Sequence, residues 1–448
     1  MTRLSARLFA SAALAALLLP SAVHAQGHSL VLEGKDGWLF GRHELPDLSE
    51  QADMKKAVAL VARLNQVLAK SQVHLVMSVI PSKIETHAEY LPDGFVLQPH
   101  VVAWYGDMVS AFRQQGVRAV DLKPAMLKAG QEWRTVLPYF KYDTHWTPLG
   151  ATVAAWAIRQ DLIRHPDIVQ ALDQLPAEPS RIRWQAKASP QHSSRDLASL
   201  LPDNATRFPP EQVRRSSLKQ MGKQSLLDDD SAAHLALVGS SMSGEGSGFA
   251  DALRYSFQRK VFNYAINADV GPWVAIRNYL RFVSQKEMEP KAIIWEMPQR
   301  ALSMLPNHPV RQSQFRMPEA DRLLEVLAYA DRQCAPVAGA AAVKAEAVST
   351  DGAEGFRIQV PAGAPLAYAR VTARAESISQ VDVAYATADG KTSTRTLELP
   401  GDDGDYVIKL PLAVGSQAAQ SVSVVPARGS RLKLDAFQVC SYPVSVQP

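Results

Sequence analysis

Between residues 51 and 70, Val58, Val61, Leu64 and Leu68 recur three and four positions apart, the spacing of one buried helical face. Val73 to Ile80 follows as a nearly continuous apolar run ending at Pro81, which reads as a strand covered on both sides. The alternation then repeats. Val101 to Phe112 reads as a helix, Val117 to Leu122 as a strand, and Pro124 opens a short helix. Thr147 caps another helix, Pro148 suits its first turn because its missing N–H would be unpaired there, and Ala151 to Ile163 continues it. Leu235 restarts the strands; Phe249 to Phe257 is a helix, Lys260 to Tyr264 a strand, Trp273 to Val283 a helix and Ala292 to Glu296 the last strand. Gly34 to Phe40 forms an opening turn and short strand. Strands alternating with helices predict a parallel sheet covered on both faces, with its site at the carboxyl ends of the strands. Pro81-Ser-Lys83, Asp121 and Gly239 to Ser241 fall at such ends and are expected to converge.

Two stretches depart from this rhythm. Residues 166 to 230 are polar, Pro-rich and weakly periodic, an insertion packed over the domain and looped around Asp203 to Pro210. Beyond a linking helix at Arg316 to Gln333, short alternating runs take over: Phe356 to Val360, Tyr368 to Ala373, Gln380 to Tyr385, Thr394 to Leu399, Tyr406 to Leu410, Ser421 to Val425 and Leu432 to Val439. Turns such as Asp389-Gly and Arg428-Gly separate them, the pattern of a small β-sandwich. The division expected is a signal peptide at 1–25, an α/β domain at 26–315, a linker helix at 316–335 and a β-sandwich at 336–448.

The first of these rests on Arg3 and Arg7, the apolar Leu8 to Leu19 and the small-residue site Val23-His-Ala25, with an uncleaved anchor as the other reading. The apolar core is short for a membrane span. A formal charge of +4 gives no sign of nucleic-acid binding and tolerates an anionic polysaccharide. Cys334 and Cys440 are the only cysteines; they bracket the last hundred residues, and export permits a disulfide between them. No Cys/His spacing suggests a metal site, and no cofactor is expected.

The chemistry concentrates in Lys141-Tyr-Asp-Thr-His-Trp-Thr-Pro-Leu-Gly150. Asp143 and His145 stand two apart on a loop fixed by a helix start, so the acid can set the tautomer of the imidazole and leave its other nitrogen as a base. Alone, such a pair is common and reads first as a hydrogen-bonded structural pair at a helix end. A nucleophile is offered by Leu235-Ala-Leu-Val-Gly-Ser-Ser-Met-Ser-Gly-Glu-Gly-Ser-Gly248, where a strand turns into a helix and N–H groups at its start can stabilise an oxyanion. Ser240, Ser241 and Ser243 compete, and spacing does not choose. The glycines lack the Gly-Lys-Ser/Thr ending of a phosphate loop. Lys83 and Arg300 are candidates for gripping an anionic polymer or a donor, each with an ordinary reading as a solvated or salt-bridged residue. Trp146 offers either a sugar-stacking face or a core side chain. Asn267, in the loop to Gly271, is a candidate oxyanion donor or a turn residue.

Asp143-Thr-His-Trp-Thr-Pro148 followed by Val238-Gly-Ser-Ser241 resembles the AlgX/AlgJ family of periplasmic polysaccharide O-acetyltransferases. Asp36-Gly-Trp-Leu-Phe40, Val79-Ile-Pro-Ser-Lys83, Arg195-Asp-Leu197 and Trp295-Glu-Met-Pro298 match the family's habit as well. The likeness spans roughly residues 30 to 305 and extends to the C-terminal domain, as in AlgX. It implies an SGNH-hydrolase-like domain in which Asp-x-His precedes the serine, with Ser241 as nucleophile where the family has Gly-Thr/Asp-Ser. It further implies acetylation of a secreted polymer, first of all alginate, a membrane-bound acyltransferase that delivers the donor, and a C-terminal carbohydrate-binding module. Three alternatives remain open: a periplasmic carbohydrate esterase, acetylation of another exopolysaccharide such as cellulose, and a non-catalytic polysaccharide-binding or assembly protein.

Overall fold

The computed structural model describes residues 29–132, 137–190, 195–221, 234–267, 270–308, 316–337, 340–350, 352–363, 366–376 and 378–444. The expected signal peptide at 1–25 lies outside the described residues. Among the described residues no helix is long and apolar enough to cross a membrane.

Five parallel strands form the central sheet: β1 (His74–Ile80), β2 (Arg118–Ala119), β3 (Leu235–Gly239), β4 (Val261–Ala265) and β5 (Ala292–Pro298), in the spatial order β4-β3-β5-β1-β2. Neighbouring strand residues point to opposite faces, and each face has its own core. Leu75, Met77, Val79, Val238, Trp295 and Met297 join one core. It is built against α1 (Gln51–Lys70), α2 (Pro99–Gln114) and, later in the chain, the helix Pro272–Gln285. Val76, Ile80, Leu235, Leu237 and Ile294 join the other core. There they meet α3 (Lys123–Glu132), α4 (Pro148–Leu162) and α5 (Phe249–Phe257), with Trp38 and Phe40. Double coverage explains why β1 and β5 read as continuous apolar runs. The expected strand Val117 to Leu122 shrinks to Arg118–Ala119 because it lies at the sheet edge and has a partner only in β1.

The chain visits β5 last and inserts it between β3 and β1, so the carboxyl ends of the three middle strands stand side by side, with Pro298 opposite Ile80 and Trp295 opposite Val238. Asp121 does not join them; it is exposed and its carboxylate caps the Lys123 N–H at 3.2 Å. The insertion forms a two-stage antiparallel ribbon, Ser180–Trp184 with Ser216–Gln220 and Ser189–Pro190 with Gln212–Val213, plus a helical turn at Asn204–Arg207 where a loop was expected.

With the helix Pro272–Gln285 as α6, the expected linker is α7 (Glu319–Ala330), starting after Pro318. It is no spacer: every residue from Asp321 to Ala330 is buried. Asp321 pairs with Arg395 of the sandwich at 2.5 Å and Glu325 with Arg277 of α6 at 3.5 Å. The sandwich strands are β6 (Lys344–Thr350), β7 (Ala353–Gln359), β8 (Ala367–Ala375), β9 (Gln380–Thr387), β10 (Thr392–Glu398), β11 (Gly404–Pro411), β12 (Gln417–Pro426) and β13 (Leu432–Ser441). They form two antiparallel sheets, β6-β7-β12-β9-β10 and β11-β8-β13, around one apolar core. Sequence reading missed β6, a largely exposed edge strand whose Lys-Ala-Glu-Ala start hides its alternation.

Cys334 and Cys440 form a disulfide that ties the end of α7 to the last strand across 106 residues. Closing a loop of that length removes unfolded-state entropy worth about 4–5 kcal/mol. A Cys334→Ser/Cys440→Ser double variant should therefore unfold at markedly lower denaturant. Its equilibrium denaturation curve should match that of the reduced wild type, and coincident curves for the oxidised wild type and the variant would refute the estimate.

Candidate active site

The loop Tyr139 to Trp146 is pinched at its base by the bridge between those two residues, with the Phe140 N–H donating to the His145 carbonyl at 3.2 Å. Its inward-facing carbonyls have to be satisfied, and Lys83 does so. The buried ammonium donates to the carbonyls of Phe140 (2.9 Å), Lys141 (3.0 Å) and Asp143 (2.9 Å), and lies 5.3 Å from the centre of the Trp38 ring and 5.5 Å from that of Phe40. Burial lowers its pKa to about 8. The expectation that Lys83 grips a polymer is thus corrected: with three N–H groups bonded to three carbonyls and almost no exposed surface, it pins the loop from within. The loop is held from outside by two carboxylates of the insertion. Glu211 accepts the N–H groups of Lys141 (2.9 Å) and Tyr142 (3.1 Å), and Asp196 accepts the Thr144 N–H (2.7 Å) and hydroxyl. Thr147 caps α4 as expected, taking the Gly150 N–H at 3.3 Å.

The second loop leaves β3 at Gly239. A Cβ there would come within 2.3 Å of Ser243 Oγ and 2.5 Å of Glu296 Oε2, so only glycine fits. Glu296, buried at the end of β5, organises this turn. It accepts the Ser240 N–H (2.7 Å), the Ser240 hydroxyl (3.0 Å) and the Ser243 hydroxyl (2.7 Å). Burial raises its pKa, against the lowering effect of those same bonds. Ser240 and Ser243 are therefore turned to the carboxylate. Ser241, which begins the helical turn Ser241–Ser243, faces the other way.

His145 meets it there. Nε2 lies 2.9 Å from Ser241 Oγ, Nδ1 lies 2.6 Å from Asp143 Oδ1, and the same oxygen accepts the His145 N–H at 3.0 Å. With Nδ1–H donating to the carboxylate, Nε2 is the acceptor for the serine hydroxyl. Burial acts to lower the His145 pKa and is outweighed by the bond to and charge of Asp143 and then by Asp196, so the net shift is upward. Asp196 Oδ2 stands 3.7 Å from Nδ1, and burial together with the Asp143 charge raises the pKa of Asp196. Ligand atoms of Asp143, His145 and Asp196 lie within 4.8 Å of one another, the one such group among the described residues. Each is committed to hydrogen bonds within the loop or with Ser241, an arrangement suited to holding a proton rather than opening a coordination shell.

Ser241 and His145 line an open cavity of about 330 Å³, with Phe140, Trp146, Pro148 and Val213 as apolar wall and Arg215 as its second basic group. Trp146 contributes little face. It is buried, its indole N–H donates to the Met242 carbonyl at 2.9 Å, and it packs edge-on against Phe249, which corrects the expectation of a stacking platform. Asn267 and Arg300 line a separate cavity of about 30 Å³ that includes Ser240 and Glu296 but neither Ser241 nor His145. The positive charge of Arg300 nevertheless reaches both Glu296 and His145. Asp196, Glu211, Glu296 and Arg215 escaped the sequence reading. Asp196 and Glu296 sit inside the quoted Arg195-Asp-Leu197 and Trp295-Glu-Met-Pro298 stretches, a signal that was present without a role attached.

A family model described as the SGNH hydrolase-like domain of the acetyltransferase AlgX matches residues 31–299. A probable alginate O-acetylase AlgJ of Pseudomonas fluorescens is 28% identical over 287 residues, covering 62% of this chain and 69% of the relative. The alginate biosynthesis protein AlgX of Pseudomonas putida is 25% identical over 283 residues, covering 60% of this chain and 56% of the relative. Among solved structures, the O-acetyltransferase domain of Pseudomonas putida AlgJ superposes with a TM-score of 0.52 at 27% identity, over 61% of this chain and 92% of that one. Pseudomonas aeruginosa AlgX superposes with a TM-score of 0.62 over 92% of this chain and 94% of that one; at 19% identity this speaks to the shared two-part fold alone.

Proposed function

This chain belongs to the AlgX family of SGNH hydrolase-like acetyltransferase domains, and from that premise we propose that it moves acetyl groups onto hydroxyls of an exported polysaccharide, alginate in the first place. The observation that carries the reading is the hydrogen-bonded line Asp143–His145–Ser241, at 2.6 Å and 2.9 Å, opening on a cavity that admits a sugar.

In this reading His145 Nε2 takes the Ser241 proton as Oγ attacks the acetyl carbonyl, and Asp143 stabilises the imidazolium. The oxyanion forms beside the Ser241 N–H, which has no hydrogen-bond partner among the described residues. As the donor's C–O bond breaks, its oxygen takes the proton from His145 and acetyl-Ser241 remains. A sugar hydroxyl then gives its proton to His145 and attacks the acetyl carbon; Ser241 Oγ leaves and recovers the proton. Water in place of the sugar yields acetate. Which of the two prevails is set by how the sugar hydroxyl is positioned against the acetyl carbon. Asn267 and Arg300, in the adjoining cavity, are left the role of shaping the donor side.

The periplasm is the proposed location, in keeping with the disulfide. The sandwich is proposed to hold the polymer and a membrane-bound acyltransferase to supply the donor. Incubating the protein with an activated acetyl ester and oligouronate, followed by mass spectrometry, tests the reading. Acetyl on Ser241 that moves to the oligosaccharide is the expected outcome. Acetate release with every sugar left unmodified would make the protein an esterase, and absence of an acetylated enzyme would leave a binding protein.

A further inference from the structure

The catalytic cavity carries a cation that the acetyl-transfer steps do not use. Arg215 belongs to the insertion, directly before the strand Ser216–Gln220, and it lines the same cavity as Ser241 and His145. Its backbone is fixed by its carbonyl accepting the Gln185 N–H at 3.0 Å, and Nη2 is tethered to the Pro190 carbonyl at 3.2 Å. No carboxylate pairs with it among the described residues, whereas arginines elsewhere on the molecule, such as Arg118, Arg254 and Arg281, are matched to acids. Glu211, four residues earlier on the same ribbon, grips the Lys141 and Tyr142 N–H groups and so holds the ribbon in register with His145. Arg215 is thus half-buried, held in place, and without a carboxylate partner among the described residues, in the lining of a largely apolar cavity.

We infer that Arg215 is the specificity residue of the acceptor site: it binds the carboxylate of a uronic-acid residue and so presents a hydroxyl of that sugar, or of its neighbour, to Ser241 and His145. The inference rests on the acetyl-transfer reading and adds to it where the polymer's charge is read. A planar guanidinium suits a carboxylate because two N–H groups meet two oxygens, a charge-assisted fork that a ring without a carboxylate does not offer. The insertion thereby has a second task beside bracing the catalytic loop.

The test compares an oligouronate with the same oligosaccharide carrying primary amides in place of its carboxylates. Full-length protein first acetylated by an activated ester is offered each acceptor. Wild type should prefer the acid, and Arg215→Gln should reduce that preference about 10- to 100-fold, through loss on the acid alone. Arg215→Lys, which keeps charge without the fork, should fall between. Equal losses on both acceptors, or unchanged preference, would overturn the inference. Binding of the two oligosaccharides to Ser241→Ala protein separates the two levels: an Arg215-dependent preference in binding to that variant, together with no transfer by protein that keeps Ser241, would refute the transferase reading and leave Arg215 as a carboxylate site, whereas transfer with no preference refutes the role of Arg215 only.

Discussion

Ser241→Ala is expected to remove acetyl transfer almost completely, lowering kcat/KM by roughly 10⁴- to 10⁶-fold, while Ser240→Ala keeps an acetylatable enzyme. The two hydroxyls are adjacent in sequence and opposite in company. Ser241 Oγ faces a base at 2.9 Å, whereas Ser240 Oγ lies 3.0 Å from Glu296 Oε1 and also accepts the Met242 N–H at 3.2 Å. Ser240 lines only the separate cavity of about 30 Å³, which is too small for a donor and a sugar together, and its hydroxyl is held by the buried Glu296. Loss of the Ser240 hydroxyl instead leaves Glu296 with fewer donors inside the protein, which costs about 1–3 kcal/mol of stability. Ser240→Ala should accordingly show a lowered melting temperature with transfer reduced far less than in Ser241→Ala. Peptide mass spectrometry after a short pulse of activated ester reads both effects, and acetyl found on residue 240 of the wild type would reverse the assignment.

That distinction could not be made from the chain alone, and the reason is physical. The sheet was legible because strands covered on both faces are apolar throughout, and β1, β3 and β5 all carry that mark. Asp143, His145 and the capped start of α4 were legible because they are local: two residues apart, with their helix signal following at once. Choosing among Ser240, Ser241 and Ser243 needs the direction each hydroxyl takes, and that is set by Glu296, 53 to 56 residues away. The same long reach hid Lys83, whose charge suggested solvent or an anion. Its true partners are three carbonyls of a loop 57 to 60 positions on, beneath the rings of Trp38 and Phe40. Thus the Asp36-Gly-Trp-Leu-Phe40 and Val79-Ile-Pro-Ser-Lys83 stretches serve the active loop from behind. The insertion was the least legible part, since its ribbon is short, polar and exposed, and its contribution comes from single side chains, Asp196, Glu211 and Arg215.

His145 stands between two acids, and they should differ sharply in worth. Asp143→Asn is expected to cost about 10⁴-fold in kcat/KM. Asp143 Oδ1 receives the Nδ1–H directly at 2.6 Å, fixing the tautomer; an amide NH₂ in its place favours the ring with its proton on Nε2, where it can no longer accept from Ser241. Asp196 touches the ring only at 3.7 Å and spends its oxygens on Thr144, so Asp196→Asn should cost no more than about 10-fold. Its effect belongs in the pH profile. The His145 pKa is raised, with Asp143 and Asp196 both contributing against burial, and the general base is the neutral ring. Activity therefore rises with pH as the ring deprotonates, and the rise sits above the usual histidine value. Removing the Asp196 charge takes away one raising influence, so the acid limb of kcat/KM in Asp196→Asn must move to lower pH while the pH-independent plateau changes little. A profile measured with a small activated ester reads this without involving the polymer. If Asp196→Asn lost as much plateau activity as Asp143→Asn, or if its acid limb moved upward, Asp196 would be the acid that orients the base and the two carboxylates would exchange roles.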